Sequence, residues 1–287
     1  MVTSATVTLL FVIVVGLIPT PAPYVFITLH TELLSYQVAR PTLAGVLVRD
    51  ATYDGQIDCP DRVDGADRLS GLLQPVSGAA IEYRWTPGGV AITVSSGQEG
   101  PASFAFPDDQ TCKFTGRTVT VVQRGDAVRD LQLPIAGKAQ AGSETSVATA
   151  SRAPSGTIHD GQVTVFGRTL IGRELYPVAG ATYPIPPGSR LASGRNYLSP
   201  ESEESGASWY GAARPGDRGL LVSATTDTTR LLLYRPGLNE QTETFSFGLL
   251  TRIFNDPSLG LLTLSLGAFF LLAGPVTGWM SLRRRTR

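Results

Sequence analysis

The chain has 287 residues, with 24 Lys and Arg against 24 Asp and Glu, so its formal net charge is zero. Nucleic-acid-binding domains carry a basic excess, so this balance argues against nucleic acid as a partner. Charged residues make up only 17% of the chain, below the roughly 25% of an average soluble domain, because both ends are almost free of charge.

The first segment, residues 1–29, is predicted to be an N-terminal transmembrane helix. No Asp, Glu, Lys or Arg precedes Glu32, and residues 7–18 read VTLLFVIVVGLI. A cleaved signal peptide is the alternative. The basic start and the small-residue cleavage site of such a peptide are missing, so we expect a retained anchor.

The middle of the chain, residues 30–257, is predicted to be mainly β, as a sandwich or an open barrel-like structure. Short apolar runs, some of them alternating with polar residues, are separated by Gly and Pro turn signals. A weak pattern predicts a short helix over residues 61–73. The strand candidates are residues 45–49, 79–85, 90–95, 102–106, 118–124, 162–166, 218–223 and 229–234.

A low-complexity stretch divides this middle region. Residues 138–155 read KAQAGSETSVATASRAPS, which is rich in small and polar residues and poor in large apolar ones. This composition predicts a linker between a first β lobe, residues 30–137, and a second β lobe, residues 156–257. A long surface loop inside a single domain remains the alternative.

The chain contains two cysteines, Cys59 and Cys112. In an oxidising compartment they could form a disulfide, and otherwise they are two separate thiols. No zinc site is expected, because the chain lacks a C-x-x-C motif and its histidines are only His30 and His159. We predict no bound metal and no cofactor.

No motif of a known catalytic site occurs, so we expect no catalytic residue and lean against an enzyme. The sequence predicts that His159 and Asp160 lie in a surface turn, and that His30 lies at a membrane edge. Asp58, Asp61, Asp64 and Asp67 recur every three residues, which does not fit the alternating oxygen ligands of a calcium loop. The aromatic residues Tyr83, Trp85, Phe104 and Phe106 are expected to pack in the core.

The last segment is predicted to be a second transmembrane helix, residues 258–282. Twenty-six uncharged residues separate Asp256 from Arg283, and Trp279 sits at an interfacial position. The basic tail, residues 283–287, sets the orientation, because basic residues next to a span stay in the cytoplasm. Its topology-setting residues are Arg283, Arg284, Arg285 and Arg287. Gly260, Gly267 and Gly274 could line a helix–helix contact in this span.

Two stretches of the middle region resemble the GIDE (or BAM) domain of a family of membrane proteins. One runs through residues 83–85 (YRW), 92–97 (ITVSSG), 104–109 (FAFPDD) and 116–121 (GRTVTV), and the other is residues 156–168 (GTIHDGQVTVFGR). The resemblance implies a span–β domain–span layout. Ubiquitin-ligase members add a RING domain, which two cysteines cannot build, so the resemblance implies no ligase activity here.

These observations predict a membrane-anchored, non-enzymatic β domain that acts in binding or assembly at the outer face of a membrane. The expected location is the plasma membrane of a prokaryote, with the middle region outside and the C-terminus in the cytoplasm. The expected partners are the lipid bilayer and an unidentified protein. The alternatives are an envelope enzyme with paired carboxylates between its lobes, favoured by two buried acids side by side, and an accessory subunit of a membrane complex. An exposed apolar patch would favour binding.

Overall fold

The computed structural model describes residues 24–59, 68–107, 110–142, 156–169, 174–193, 208–226, 230–235, 241–244, 255–260 and 264. The chain divides into two compact units. The larger unit comprises Tyr24–Phe166 and Ala179–Phe247, and the smaller comprises Met1–Pro23, Gly167–Val178 and Gly248–Arg287.

Strands dominate the described residues, so the prediction of a β-rich middle region is confirmed. The strands are β1 (Tyr24–Thr31), β2 (Leu33–Val38), β3 (Val46–Asp58), β4 (Arg68–Pro75), β5 (Ala80–Thr86), β6 (Gly89–Ser95), β7 (Ala102–Ala105), β8 (Thr111–Arg124), β9 (Leu133–Ala141), β10 (Ile158–Arg168), β11 (Leu175–Ile185), β12 (Arg190–Ser193), β13 (Trp209–Gly216), β14 (Gly219–Thr226), β15 (Arg230–Tyr234) and β16 (Gln241–Thr244). Two 3₁₀ turns, Pro41–Leu43 and Gly125–Val128, complete the described elements.

The strands follow one hydrogen-bonded path in the order β11-β10-β1-β14-β13-β9-β2-β5-β6-β8-β3-β4-β7. Strand β7 pairs with β8 as well as with β4, so β3, β4, β7 and β8 form a closed circuit of pairings. Strand β12 joins β9 to β15, and β16 pairs with β15. Neighbours in the path are mostly distant in the sequence, so long-range pairing determines this fold.

Alternating side chains form the core of the larger unit. Strand β6 buries Val90, Ile92 and Val94, and the paired strand β8 buries Val119 and Val121. Inward side chains in a strand recur every second residue, so this spacing of apolar residues explains why the sequence forms these strands.

Strand β9 is the junction of the larger unit, because it pairs with β2, β12 and β13. Close packing at this junction requires a residue without a side chain. A Cβ atom placed on Gly137 would lie 1.8 Å from the backbone oxygen of Gln37, so no other residue fits there. Residues 138–141 of the predicted linker belong to β9, and residues 143–155 lie outside the described residues.

Local hydrogen bonds define the described part of the smaller unit. The Glu174 N–H donates to Oγ1 of Thr169, 2.9 Å away, and the Thr169 N–H donates to the Glu174 carbonyl oxygen, 2.8 Å away. Asp256 begins a short helical turn, because its Oδ1 accepts hydrogen bonds from the N–H and the hydroxyl of Ser258.

The predicted flanking transmembrane helices are wrong, and so is the membrane location that was inferred from them. Among the described residues, no helix is long and apolar enough to cross a membrane. Residues 24–29 of the first predicted span belong to β1, which pairs with both β10 and β14 and buries Val25, Ile27 and Leu29. An uncharged apolar run is typical of a buried strand as well as of a membrane helix, and this ambiguity explains the error.

Other terminal predictions fall largely outside the description. Residues 1–23, Gly267, Gly274, Trp279 and the four tail arginines are not among the described residues. The predicted helix over residues 61–73 is wrong for its described part, because Arg68–Pro75 is the strand β4.

Candidate binding site

A pocket of about 390 Å³ opens on the larger unit. The outward side chains of β3 and β4 line it, and so do Pro134 of β9 and Ala212 of β13. The segment after the 3₁₀ turn Gly125–Val128 supplies Asp130, Leu131 and Gln132. Four stretches of the chain, at residues 45–49, 72, 123–134 and 212, therefore meet at this pocket, and only the fold brings them together.

Two leucines on the solvent side of neighbouring strands give the pocket its apolar wall. Leu47 of β3 and Leu72 of β4 lie directly opposite each other across the two strands, and their side chains are 55% and 37% exposed. Leu43, in the 3₁₀ turn that contacts both β4 and β9, is 51% exposed. Large aliphatic side chains grouped at a concave surface are typical of ligand sites.

A β-bulge places a charged side chain at the same pocket. The pairing of β3 with β4 shifts between Val48 and Ala51, so Arg49 and Asp50 together lie opposite the single residue Ser70. Asp50 has φ +50°, in the left-handed region that residues other than glycine rarely adopt. Its N–H donates to Oγ of Ser70, 2.8 Å away, and its carboxylate accepts from Arg68. These contacts hold the strained residue in place.

The buried amide of Gln123 supports the bulge from β8. Its Oε1 accepts a hydrogen bond from the Arg49 N–H, 2.9 Å away, and its Nε2 donates to the Arg49 carbonyl oxygen. Gln123 is 1% exposed, and both polar ends of its amide are satisfied. The side chain replaces the backbone partner that a bulged residue loses, so the Arg49 backbone is fixed where its side chain lines the pocket.

The pocket carries charges of both signs. Arg49 and Asp130 both line it, and both residues are exposed. Neither takes part in the ion pairs found among the described residues. The guanidinium and the carboxylate are therefore available to a ligand.

The two histidines lie in strands and not at the positions that the sequence predicted. His30 in β1 faces Asp160 in β10, with Nδ1 2.8 Å from Oδ1. His159 is the bulged residue of β10, and its Nε2 lies 3.3 Å from Oε1 of Glu32, without the alignment of a hydrogen bond. The prediction of a surface turn at residues 159 and 160 is therefore wrong, because both belong to the strand β10. Among the described residues, no group of three or more His, Cys, Asp or Glu could hold a metal ion.

Cys59 and Cys112 form a disulfide, with Cα atoms 4.6 Å apart. The register of β3 and β8 explains the pairing: Asp58, the last residue of β3, faces Lys113, so Cys59, which follows the strand, lies opposite Cys112. Asp58 ends β3, whereas Asp61, Asp64 and Asp67 lie outside the described residues.

The predicted aromatic cluster is divided between the core and the surface. Tyr83 and Phe104 are completely buried, and the ring centroids of Phe104 and Phe106 are 4.8 Å apart. Trp85 and Phe106 are partly exposed. The four rings therefore do not all lie in the core, contrary to the prediction from the sequence.

Arg49, Gln123 and Asp130 are not among the residues that the sequence patterns single out. One signal was visible: Gln123 continues the alternation of Val119 and Val121, so a polar residue stands on the buried face of β8. A buried amide in such a row must find partners, which points to an irregular neighbouring strand.

No family model, curated protein or solved structure matches this chain. The resemblance to the GIDE family stays a prediction from the sequence.

Proposed function

We propose that this chain is a non-catalytic, β-rich binding domain whose ligand occupies the pocket between β3–β4 and β9–β13. The observation that carries the proposal is the pocket itself, in which Leu47 and Leu72 are exposed beside a bulge held by the buried Gln123. A ligand that covers an exposed apolar surface at a rigid concave site removes this surface from water, which makes binding favourable.

The contrast with a carboxylate enzyme supports binding. An enzyme with paired acids needs two buried carboxylates side by side. Among the described residues, Asp256 is the one buried carboxylate, and its Oδ1 caps the turn at Ser258. The described residues therefore contain the exposed apolar patch that favours a binding domain, and among them no two buried carboxylates lie side by side as a carboxylate enzyme would need.

Fluorescence titration with the amphiphilic anionic probe 1-anilinonaphthalene-8-sulfonate, whose rings cover apolar surface and whose sulfonate can reach Arg49, tests the proposal. We expect saturable binding to the full chain and a loss of at least tenfold in affinity in Ala212→Trp, whose ring would fill the pocket. Ala80→Trp is the matched control, because Ala80 is an exposed strand residue that does not line the pocket. Equal binding to both variants, with unchanged circular dichroism, would show that the pocket is not the site.

A further inference from the structure

The charges at the pocket indicate what kind of ligand it takes. A purely apolar ligand would leave the Arg49 guanidinium and the Asp130 carboxylate without partners and partly shielded from water, which costs free energy. A simple carboxylic acid would satisfy Arg49 and bring a second negative charge to Asp130. A ligand with both a carboxylate and an ammonium group satisfies both residues.

Both charged residues are held by local structure. The Arg49 backbone is fixed through its N–H and its carbonyl by Gln123. Asp130 lies between two turn hydrogen bonds, from the Arg129 N–H to the Asp126 oxygen and from the Leu131 N–H to the Val128 oxygen, both 3.1 Å. Leu131 is 4% exposed and anchors this segment in the core. Such pre-organisation lowers the entropy lost when a ligand binds.

The size of the pocket points to a small molecule. Ligand pockets commonly measure about 300–1,000 Å³, and 390 Å³ lies near the lower limit. An aliphatic side chain can cover Leu47 and Leu72 while the charged groups of the same molecule reach the polar side.

We propose that the pocket binds a zwitterionic aliphatic amino acid, with its carboxylate on Arg49, its ammonium group on Asp130 and its side chain against Leu47 and Leu72. This inference rests on the proposed function and adds the class of ligand.

Four leucine derivatives test the inference through displacement of 1-anilinonaphthalene-8-sulfonate. Leucine carries both charges, N-acetylleucine only the carboxylate, leucinamide only the ammonium group, and N-acetylleucinamide neither. We expect leucine to displace the probe best and each lost charge to weaken displacement by about two- to fivefold, the range of exposed ion pairs.

Two variants assign the charges to residues. Arg49→Gln should abolish the advantage of leucine over leucinamide, and Asp130→Asn should abolish its advantage over N-acetylleucine. Arg129→Gln and Asp126→Asn are matched controls, because both residues flank Asp130 without lining the pocket, and they should leave the order unchanged.

Other outcomes separate the two proposals. Equal displacement of the probe by all four compounds, or displacement by none of them, would contradict the proposal of a zwitterionic ligand. Neither result would contradict the proposal that the pocket is a binding site, because the probe would still bind there. Loss of the pocket as the probe site, seen with Ala212→Trp as described above, would overturn the proposed function itself.

Discussion

The phenol of Tyr83 donates a hydrogen bond to the carbonyl oxygen of Pro134, 2.9 Å away and 51 residues further along the chain. The hydroxyl oxygens of Tyr83 and Tyr36 lie 3.1 Å apart. Because Tyr83 has one hydroxyl hydrogen and gives it to Pro134, Tyr36 must be the donor to Tyr83. Both rings are buried, and Pro134 lines the pocket. This chain of hydrogen bonds links the core to the pocket wall.

The order of the two tyrosines predicts unequal mutational effects. Tyr83→Phe leaves the Pro134 oxygen without this donor and the Tyr36 hydroxyl without this acceptor, so we expect a loss of about 1–3 kcal/mol in the free energy of unfolding. Tyr36→Phe keeps the bond to Pro134 and should cost about 1 kcal/mol or less. Urea unfolding monitored by circular dichroism measures both. A larger loss for Tyr36→Phe would contradict this order of donors.

Alkaline pH should destabilise the protein through the same pair. Burial raises the pKa of Tyr36 above its ordinary value of 10.0. The pKa of Tyr83 is also raised, mainly because the phenol is buried and to a lesser extent because the Tyr36 phenol lies next to it. Above pH 10 the unfolded chain releases phenol protons that the folded chain keeps, so stability must fall as pH rises.

The expected slope is about 1.4 kcal/mol per pH unit for each tyrosine, starting near pH 10. Urea midpoints between pH 8 and pH 11 measure this slope. Tyr36→Phe removes one phenol of this pair and should reduce the contribution of the pair to the slope by about half. A flat profile up to pH 11 would count against neutral phenols in the core.

Reduction of the disulfide should destabilise the chain strongly. A bridge across a sequence separation of 53 residues stabilises by about 4 kcal/mol when its main effect is to restrict the unfolded chain. Unfolding with and without a phosphine reductant measures the difference. The variant Cys59→Ala/Cys112→Ala is the control, because its stability should not respond to the reductant. A loss below about 1 kcal/mol would mean that the unfolded chain is already compact near β3 and β8.

The bulge should depend on the Gln123 amide. Gln123→Leu leaves the N–H and the carbonyl of Arg49 without their side-chain partners, so we expect a loss of about 1–3 kcal/mol. Probe binding at the pocket should weaken as well, because Arg49 is no longer fixed. Gln132→Leu changes an exposed glutamine that lines the same pocket and should stay within about 0.5 kcal/mol of the wild type. Similar stabilities of the two variants would show that the bulge forms without Gln123.

The sequence predicted the strands whose side chains alternate. All eight strand candidates overlap observed strands, β8 among them, where Val119 and Val121 face the core. Strand β9 gave no such signal, because it packs against three strands and buries small residues on both faces, among them Ala136 and Ala139. The composition of its end is therefore typical of a linker. The composition of β1 is typical of a membrane span, because its residues are equally apolar.

The candidate site could not be predicted in the same way. Arg49 and Asp130 are 81 positions apart, and nothing in either local sequence indicates that they share a pocket. His30 and Asp160 are 130 positions apart, and only the register of β1 with β10 brings them together. Long-range strand pairing determines such contacts, and single-sequence patterns carry little information about it.

The closed circuit of β3, β4, β7 and β8 affects how this chain behaves beside other copies of itself. A strand with an unpaired edge can recruit a strand from another molecule and so start aggregation. Strand β7 hydrogen-bonds to β4 on one side and to β8 on the other, so each of these four strands has a pairing partner on both of its edges. These edges are therefore not available to a strand of another molecule, which protects the apolar residues of the four strands from intermolecular sheet growth.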